Sequence, residues 1–169
     1  MTQYEIERKY LIRMPDRDFL LANAVPSEIV QTYLRRPSPL VNARVRKRGS
    51  GGAWTYTHTE KTRLSDLKRI ENEREISQEE YERLLQNADP DRNVIHKTRW
   101  VLPWQGQHFE IDIYPFWKNQ AVMEIELKNE AQAVELPPQI QILREVTEDA
   151  RYLNSSLSVT IPPEENEKG

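Results

Sequence analysis

The chain has 169 residues, a mass of 20.0 kDa and no cysteine, which excludes disulfides, thiolate metal sites and cysteine nucleophiles. Its 24 basic and 27 acidic residues leave a net charge of -3 and a pI near 5.7, so no general attraction to nucleic acid or to an anionic membrane is expected. Apolar residues are few (37%) and charged residues many (30%), yet four Trp and seven Tyr argue for a folded chain built around an unusual number of charges.

Alternation of apolar and polar residues dominates from the start, and helical periodicity is brief. It predicts strands near 3–13, 28–36, 41–48, 53–62, 68–77, 92–103, 107–115 and 121–129. Short helices fit at 15–23, after Pro15, and at 78–87, where Ser77 and Glu80 have capping-box spacing; a third is expected near 148–157. GSGG at 49–52 and WQGQ at 104–107 fall between alternating runs and read as hairpin connections. Eight strands joined this way suggest an α+β, mainly β fold: a closed eight-stranded antiparallel barrel with a few short helices outside. We read residues 1–160 as one domain and 161–169 as a frayed tail. With no secretory-type leader and no run of eighteen apolar residues, a cytoplasmic protein without a membrane span is the expectation.

The charges fall in rows. Glu5, Glu7 and Lys9 occupy alternate positions of EIERK; Arg44, Arg46 and Arg48 do so in ARVRKR, and Lys61 and Arg63 in EKTR. Glu71, Glu73 and Glu75 follow in ENERE, Lys97 and Arg99 in KTR, Glu110 and Asp112 in EID, and Glu124, Glu126 and Lys128 in EIELK. For a single strand the ordinary explanation is a solvent face. Residues i and i+2 on a strand lie about 6.5–7 Å apart, so a row of one sign repels itself, and ordinary surfaces mix the signs. Sorting acids and bases onto separate strands makes sense if carboxylates converge on divalent cations and Arg and Lys on a multiply charged anion inside a closed barrel. A metal-bridged polyphosphate suits such a cavity, with Mg²⁺ or Mn²⁺ on hard oxygen ligands and guanidinium groups on phosphates. The apolar stripes (Tyr4, Ile6, Tyr10; Phe109, Ile111, Ile113; Met123, Ile125, Leu127) would then face outward and need covering.

At this point the residues resemble a known family. EIERK at 5–9 looks like the Glu-x-Glu-x-Lys motif of the CYTH superfamily, the triphosphate tunnel metalloenzymes. Further elements follow in that family's order: QTYL at 31–34, ARVR at 43–46, the strand ending at Lys61, REIS at 74–77, KTR at 97–99, EIDIY at 110–114, MEIEL at 123–127 and EVTEDARYLNSSL at 145–157. The resemblance implies a barrel forming a charged tunnel. Glu5, Glu7, Glu124 and Glu126 would bind divalent metal, with Glu110 or Asp112 close by, while Lys9, Arg44, Arg46, Lys61 and Arg99 would grip a triphosphate. Lys97, on the same face as Arg99, would join them, and Glu73 and Glu75 would lie on an inner wall. Arg63, Arg48, Lys128 and Glu71 read instead as solvated strand ends.

The implied activity is hydrolysis of a triphosphate, inorganic triphosphate above all, to pyrophosphate and phosphate, with Glu5, Glu7, Lys9, Glu124 and Glu126 at its centre and a small anion as the partner. The other readings are a class IV-type adenylate cyclase, a thiamine triphosphatase and a non-catalytic polyphosphate-binding module. His58, His96 and His108 have no ligand spacing and read as bystanders. Relatives close the tunnel with a C-terminal helix bearing a basic residue; the candidates here are Arg144 and Arg151, and the short segment suggests a more open tunnel. The oligomeric state is not legible.

Overall fold

The computed structural model describes residues 2–65 and 68–165. Nine strands appear in the order β1 (Thr2–Arg13), β2 (Val25–Tyr33), β3 (Val41–Ser50), β4 (Ala53–Arg63), β5 (Lys68–Ile76), β6 (Ile95–Trp104), β7 (Gln107–Ile113), β8 (Gln120–Glu126) and β9 (Ile142–Glu145). Pairing runs β5-β4-β3-β2-β6-β7-β8-β1, and an additional β1–β5 ladder closes the ring, every pair being antiparallel. The eight expected strands therefore form the expected closed barrel. β9 is an extra strand, too short at four residues to show an alternation in the sequence.

Strand β1 closes the ring by dividing its length. Residues 2–6 pair with β5 along one edge, residues 7–13 pair with β8 along the other, and β9 takes over the β5 edge from Tyr10 to Ile12. The tight connections follow local chemistry. Gly51 and Gly52 have φ of 61° and 82° and link the Ser50–Ala53 pair. Gln105 and Gly106 have φ of 50° and 73° and link Trp104 to Gln107. Positive φ at both central residues is the two-residue hairpin geometry whose twist matches that of the strands, and glycine enters it without steric cost.

Helices α1 (Arg17–Asn23) and α2 (Gln78–Leu84) lie outside the barrel, and α3 (Asn154–Leu157) follows a 3₁₀ turn at Ala150–Tyr152. The Asp16 side chain caps α1 through the Phe19 N–H at 3.1 Å, and Ser77 caps α2 through the Glu80 N–H at 3.0 Å. The Glu80 carboxylate, expected to complete the box, is drawn instead to the Arg74 guanidinium at 2.8 Å. The expected helix over 148–157 is cut down to the 3₁₀ turn and α3. Asp149 starts the turn by accepting from the Arg151 N–H. Among the described residues, no helix is long and apolar enough to cross a membrane.

The outward stripes are covered as their composition requires. Tyr10, Ile12, Trp100, Leu102, Phe109, Ile111, Ala121, Met123 and Ile125 pack with Leu20 of α1 and with Leu127 and Ile140 of the segment that leads to β9. Each large apolar side chain so buried contributes about 1.5–3 kcal/mol relative to exposure. Ala43, Val45 and Ile76 pack beneath Tyr81 of α2, with Tyr56 and Tyr81 rings 5.0 Å apart. Tyr4 is the exception, at 61% exposed, with the Lys68 ammonium 4.5 Å from its ring centroid.

A third cluster lies inside the ring. Leu11, Tyr33, Ile95 and Val122 lie on the inward faces of their strands, at the end away from the cavity mouth, and pack with Tyr114, Trp117, Val146, Tyr152 and Leu157. This packing closes one end of the barrel. The segment expected to fray is docked against it as far as it is described: Trp117 Nε1 donates to the Pro162 carbonyl at 2.9 Å, the Asn119 N–H to Glu164 at 2.6 Å, and Arg144 and Tyr152 to Glu165 at 3.0 and 3.1 Å. The rest of that expected tail, 166–169, lies outside the described residues.

Candidate active site in the barrel

With one end closed, the remaining interior is a cavity of about 260 Å³ lined by charged side chains from seven strands. β1 supplies Glu5, Glu7 and Lys9, β3 supplies Arg44, Arg46 and Arg48, and β4 supplies Lys61 and Arg63. β5 adds Arg69, Glu71 and Glu73, and β8 adds Glu124 and Glu126. Arg99 and Glu110 complete the wall from β6 and β7. The alternation of each strand aims these groups inward, and the antiparallel register sets their neighbours.

That register brings like charges face to face. Glu7 stands directly opposite Glu126, Glu110 opposite Glu124, and Arg63 opposite Arg69. Like charges directly opposite destabilise a sheet, and here they line one cavity, with Glu126 and Arg63 still exposed. Burial, followed by the charges of Glu124 and Glu5, pushes the Glu7 carboxyl up to about 7. Burial and a hydrogen bond to Glu5 push Glu71 up to about 8. Burial works against ionisation of Glu5 as well, but Lys61 at 3.0 Å, the Glu71 hydrogen bond and Arg44 hold that carboxyl well below the usual range. The Glu5–Glu71 hydrogen bond thus joins a carboxyl held low to one pushed high.

The basic side is equally crowded. Burial and the neighbouring Arg44 and Arg99 draw Arg46 down to about 10, its nearest anion being Glu73 at 3.6 Å. The buried Arg44 Nε has no hydrogen-bond partner, an N–H donor left for a ligand or water to satisfy. Lys9 is buried 3.4 Å from Glu124 and donates to the Tyr152 carbonyl at 3.2 Å.

Two expected site residues are placed elsewhere. Asp112 is fully buried, and both its oxygens are taken: Arg99 binds them at 2.7 and 2.9 Å and Lys97 Nζ at 2.7 Å. Neither Asp112 nor Lys97 lines the cavity. They brace Arg99, whose third contact is Glu110 at 2.7 Å, because a buried charge is stable only when paired. Glu75, expected on the inner wall, is exposed and outside the cavity. Arg144 and Arg151 do not reach it: both bind Asp149, at 3.1 and 2.7 Å. In place of an open end, Leu153, Asn154 and Ser155 form the inner floor.

The structure also adds residues. Arg48, Arg63 and Glu71, read as solvated strand ends, line the cavity, and Arg69 belongs to the same inward row as Glu71. Parity alone could have found Arg69. Asn42, Asn154 and Ser155 carry no pattern that marks them. Of the histidines, His108 lines a separate cavity of about 400 Å³, which shares Arg48, Glu110 and Glu126 with the main one and holds Lys128; the main cavity's lining includes no histidine.

A charged, closed-ended barrel with this order of strand motifs can be compared with known proteins. The CYTH domain model matches residues 3–157. This chain belongs to the CYTH family. It is 34% identical over 162 residues to an inorganic triphosphatase of Nitrosomonas europaea, covering 94% of this chain and 99% of that protein. The crystal structure of an inorganic triphosphatase superposes with a TM-score of 0.59 at 30% identity, covering 94% of this chain and 97% of that one. A Pyrococcus horikoshii protein shares the fold at 22% identity, with a TM-score of 0.55 over 74% of this chain and 80% of that one.

Proposed function

We propose that this CYTH protein is a divalent-metal-dependent hydrolase of inorganic triphosphate. The observation that carries the reading is the opposition, in one cavity, of Glu5, Glu7, Glu110, Glu124 and Glu126 to Arg44, Arg46, Lys61 and Arg99. Likeness to an inorganic triphosphatase over nearly the whole of both chains supports it.

The donor set fits Mg²⁺ or Mn²⁺. Among the described residues no three carboxylates form a ready metal cage. Mg²⁺ is commonly held by one or two carboxylates, with waters and substrate phosphates filling the other positions, and the facing pairs Glu7–Glu126 and Glu110–Glu124 supply this. A bound metal would neutralise phosphate charge and acidify a water.

The remaining chemistry belongs to the chain's own groups. Phosphoryl transfer depends on positioning and charge stabilisation. Arg44 and Arg46 can take phosphate oxygens in bidentate fashion. Arg99 cannot swing away, because Asp112 and Glu110 hold it with three hydrogen bonds. Lys9 is fixed at the inner end by the Tyr152 carbonyl. Lys61 is released to substrate if metal takes Glu5.

The test is phosphate release from inorganic triphosphate, ATP and thiamine triphosphate, each with Mg²⁺, with Mn²⁺ and with chelator. Metal-dependent release from inorganic triphosphate is expected to exceed that from the others. Production of cyclic AMP from ATP would favour a cyclase, and tight binding without release would leave a sensor.

A further inference from the structure

The barrel wall has a seam at its closed end. On one edge of β1, pairing with β5 stops at Ile6, opposite Lys68, and pairing with β9 starts at Tyr10, opposite Glu145. Between them a side chain bridges the gap: the Lys9 N–H donates to Thr147 Oγ1 at 3.0 Å, and the Val146 N–H donates to the Lys9 carbonyl at 2.8 Å. Beside this bridge lies a cavity of about 10 Å³ lined by Glu7, Lys9, Arg69, Val146, Thr147 and Leu153. Four of these, Glu7, Lys9, Arg69 and Leu153, also line the main cavity, so the two spaces adjoin.

The volume is that of a single water, which needs two to four polar partners to be held. The lining supplies a carboxylate, an ammonium, a guanidinium and a hydroxyl. We propose that the seam is a water port: it holds one water among Glu7, Lys9, Arg69 and Thr147 and delivers it to the innermost phosphoryl group. The proposal rests on the triphosphatase reading above.

Geometry gives the port its purpose. Inorganic triphosphate is symmetric, so one terminal phosphoryl group lies innermost whichever way it enters. In-line displacement requires the attacking oxygen opposite the leaving oxygen. With pyrophosphate leaving toward the mouth, attack comes from the closed end, where Leu153, Asn154 and Ser155 line the cavity and the aromatic cluster packs inside the ring. The water oxygen bonds to the terminal phosphorus, and the bond from that phosphorus to the bridging oxygen breaks, its electron pair staying on pyrophosphate. One water proton remains on the orthophosphate and the other passes to pyrophosphate.

A crystal structure of the unliganded protein is expected to show an ordered water touching Thr147, Arg69 and Lys9. Thr147→Phe, which fills the port, should lower kcat for inorganic triphosphate about tenfold or more while KM changes little, since a misplaced reactant costs rate rather than binding. Thr147→Ser should restore the rate. Arg69→Met, which keeps the side-chain stem, is the second variant should the phenylalanine disturb folding, and should show the same split between kcat and KM. An empty port, or unchanged kcat in both Thr147→Phe and Arg69→Met, overturns the proposal. So does a raised KM with kcat unchanged, which would make these residues substrate ligands. An inactive wild type would sink the triphosphatase reading itself, whereas an active wild type with equally active port variants sinks only the port.

Discussion

At the scale of single residues, the site is organised by which charges are satisfied by the protein and which are left for a ligand. Asp112 and Lys97 are consumed by each other and by Arg99, whereas Glu7 faces Glu126 and Arg44 Nε lacks a partner. Glu7→Gln is therefore expected to abolish metal-dependent phosphate release without loss of fold, and Arg46→Ala to raise KM for triphosphate about tenfold or more, as loss of a charged contact worth about 1.5–3 kcal/mol requires. Steady-state kinetics on both variants checks this; an active Glu7→Gln would remove the residue from the metal set. Proton linkage supplies a second prediction. Glu7 and Glu71 are raised from 4.5 to about 7 and about 8, so the folded chain holds more protons than the unfolded one between those values. Stability without metal should accordingly fall as pH rises from 4.5 toward 8. Glu71→Gln keeps a donor for Glu5 with no proton to lose, and should raise Tm at pH 8 by about 2–4 °C while leaving it unchanged at pH 4.5. Thermal melts in chelator at the two pH values decide it, and equal melting at pH 8 would place the proton elsewhere.

At the scale of elements, each strand carries two instructions, one for the cavity and one for the helices outside. On β1 the odd positions run Glu5, Glu7, Lys9 and then Leu11, so one face changes from charged to apolar where the cavity ends. The C-terminal elements complete that change by bringing Tyr152 and Leu157 into the ring. Leu157 is 1% exposed, and Leu157→Ala should destabilise the fold by about 2–5 kcal/mol. Leu21, 58% exposed on the outer side of α1, should tolerate alanine within about 0.5 kcal/mol. Urea unfolding of the pair measures the difference, and equal midpoints would show that the closed end contributes little. The least legible elements were those without a period. β2 begins at Val25 rather than 28 because the chain accommodates Pro26 in the strand opposite Trp100, and β9 offers only ILRE.

At the scale of the whole molecule, closing the sheet places charges of both signs around one cavity, and ligand binding should feed back on stability. At 100 times its Kd, triphosphate with Mg²⁺ is expected to stabilise the chain by about 2.7 kcal/mol, a rise in Tm of about 5–10 °C for a domain of this size. The rise should shrink when either component is withheld, because metal and anion neutralise opposite walls of the same cavity. Differential scanning fluorimetry with each component alone and together tests this. A full shift from triphosphate alone would mean that the acidic wall takes no part in binding.

Much of this was written in the chain itself. A period of two decides which side chains share a face, and the rows EIERK, ARVR and MEIEL therefore point to a charged interior. Period says nothing about depth along the barrel or about the partner across a strand. Lys97 and Arg99 share a row, yet only Arg99 reaches the cavity, because it lies one step nearer the mouth. Arg48 and Glu71 looked like strand ends until the strands' register set them in the wall. Register, and the C-terminal segment that closes one end, depend on contacts between residues far apart in sequence. Those contacts, and with them the division between paired and available charges, were decided only by the tertiary structure.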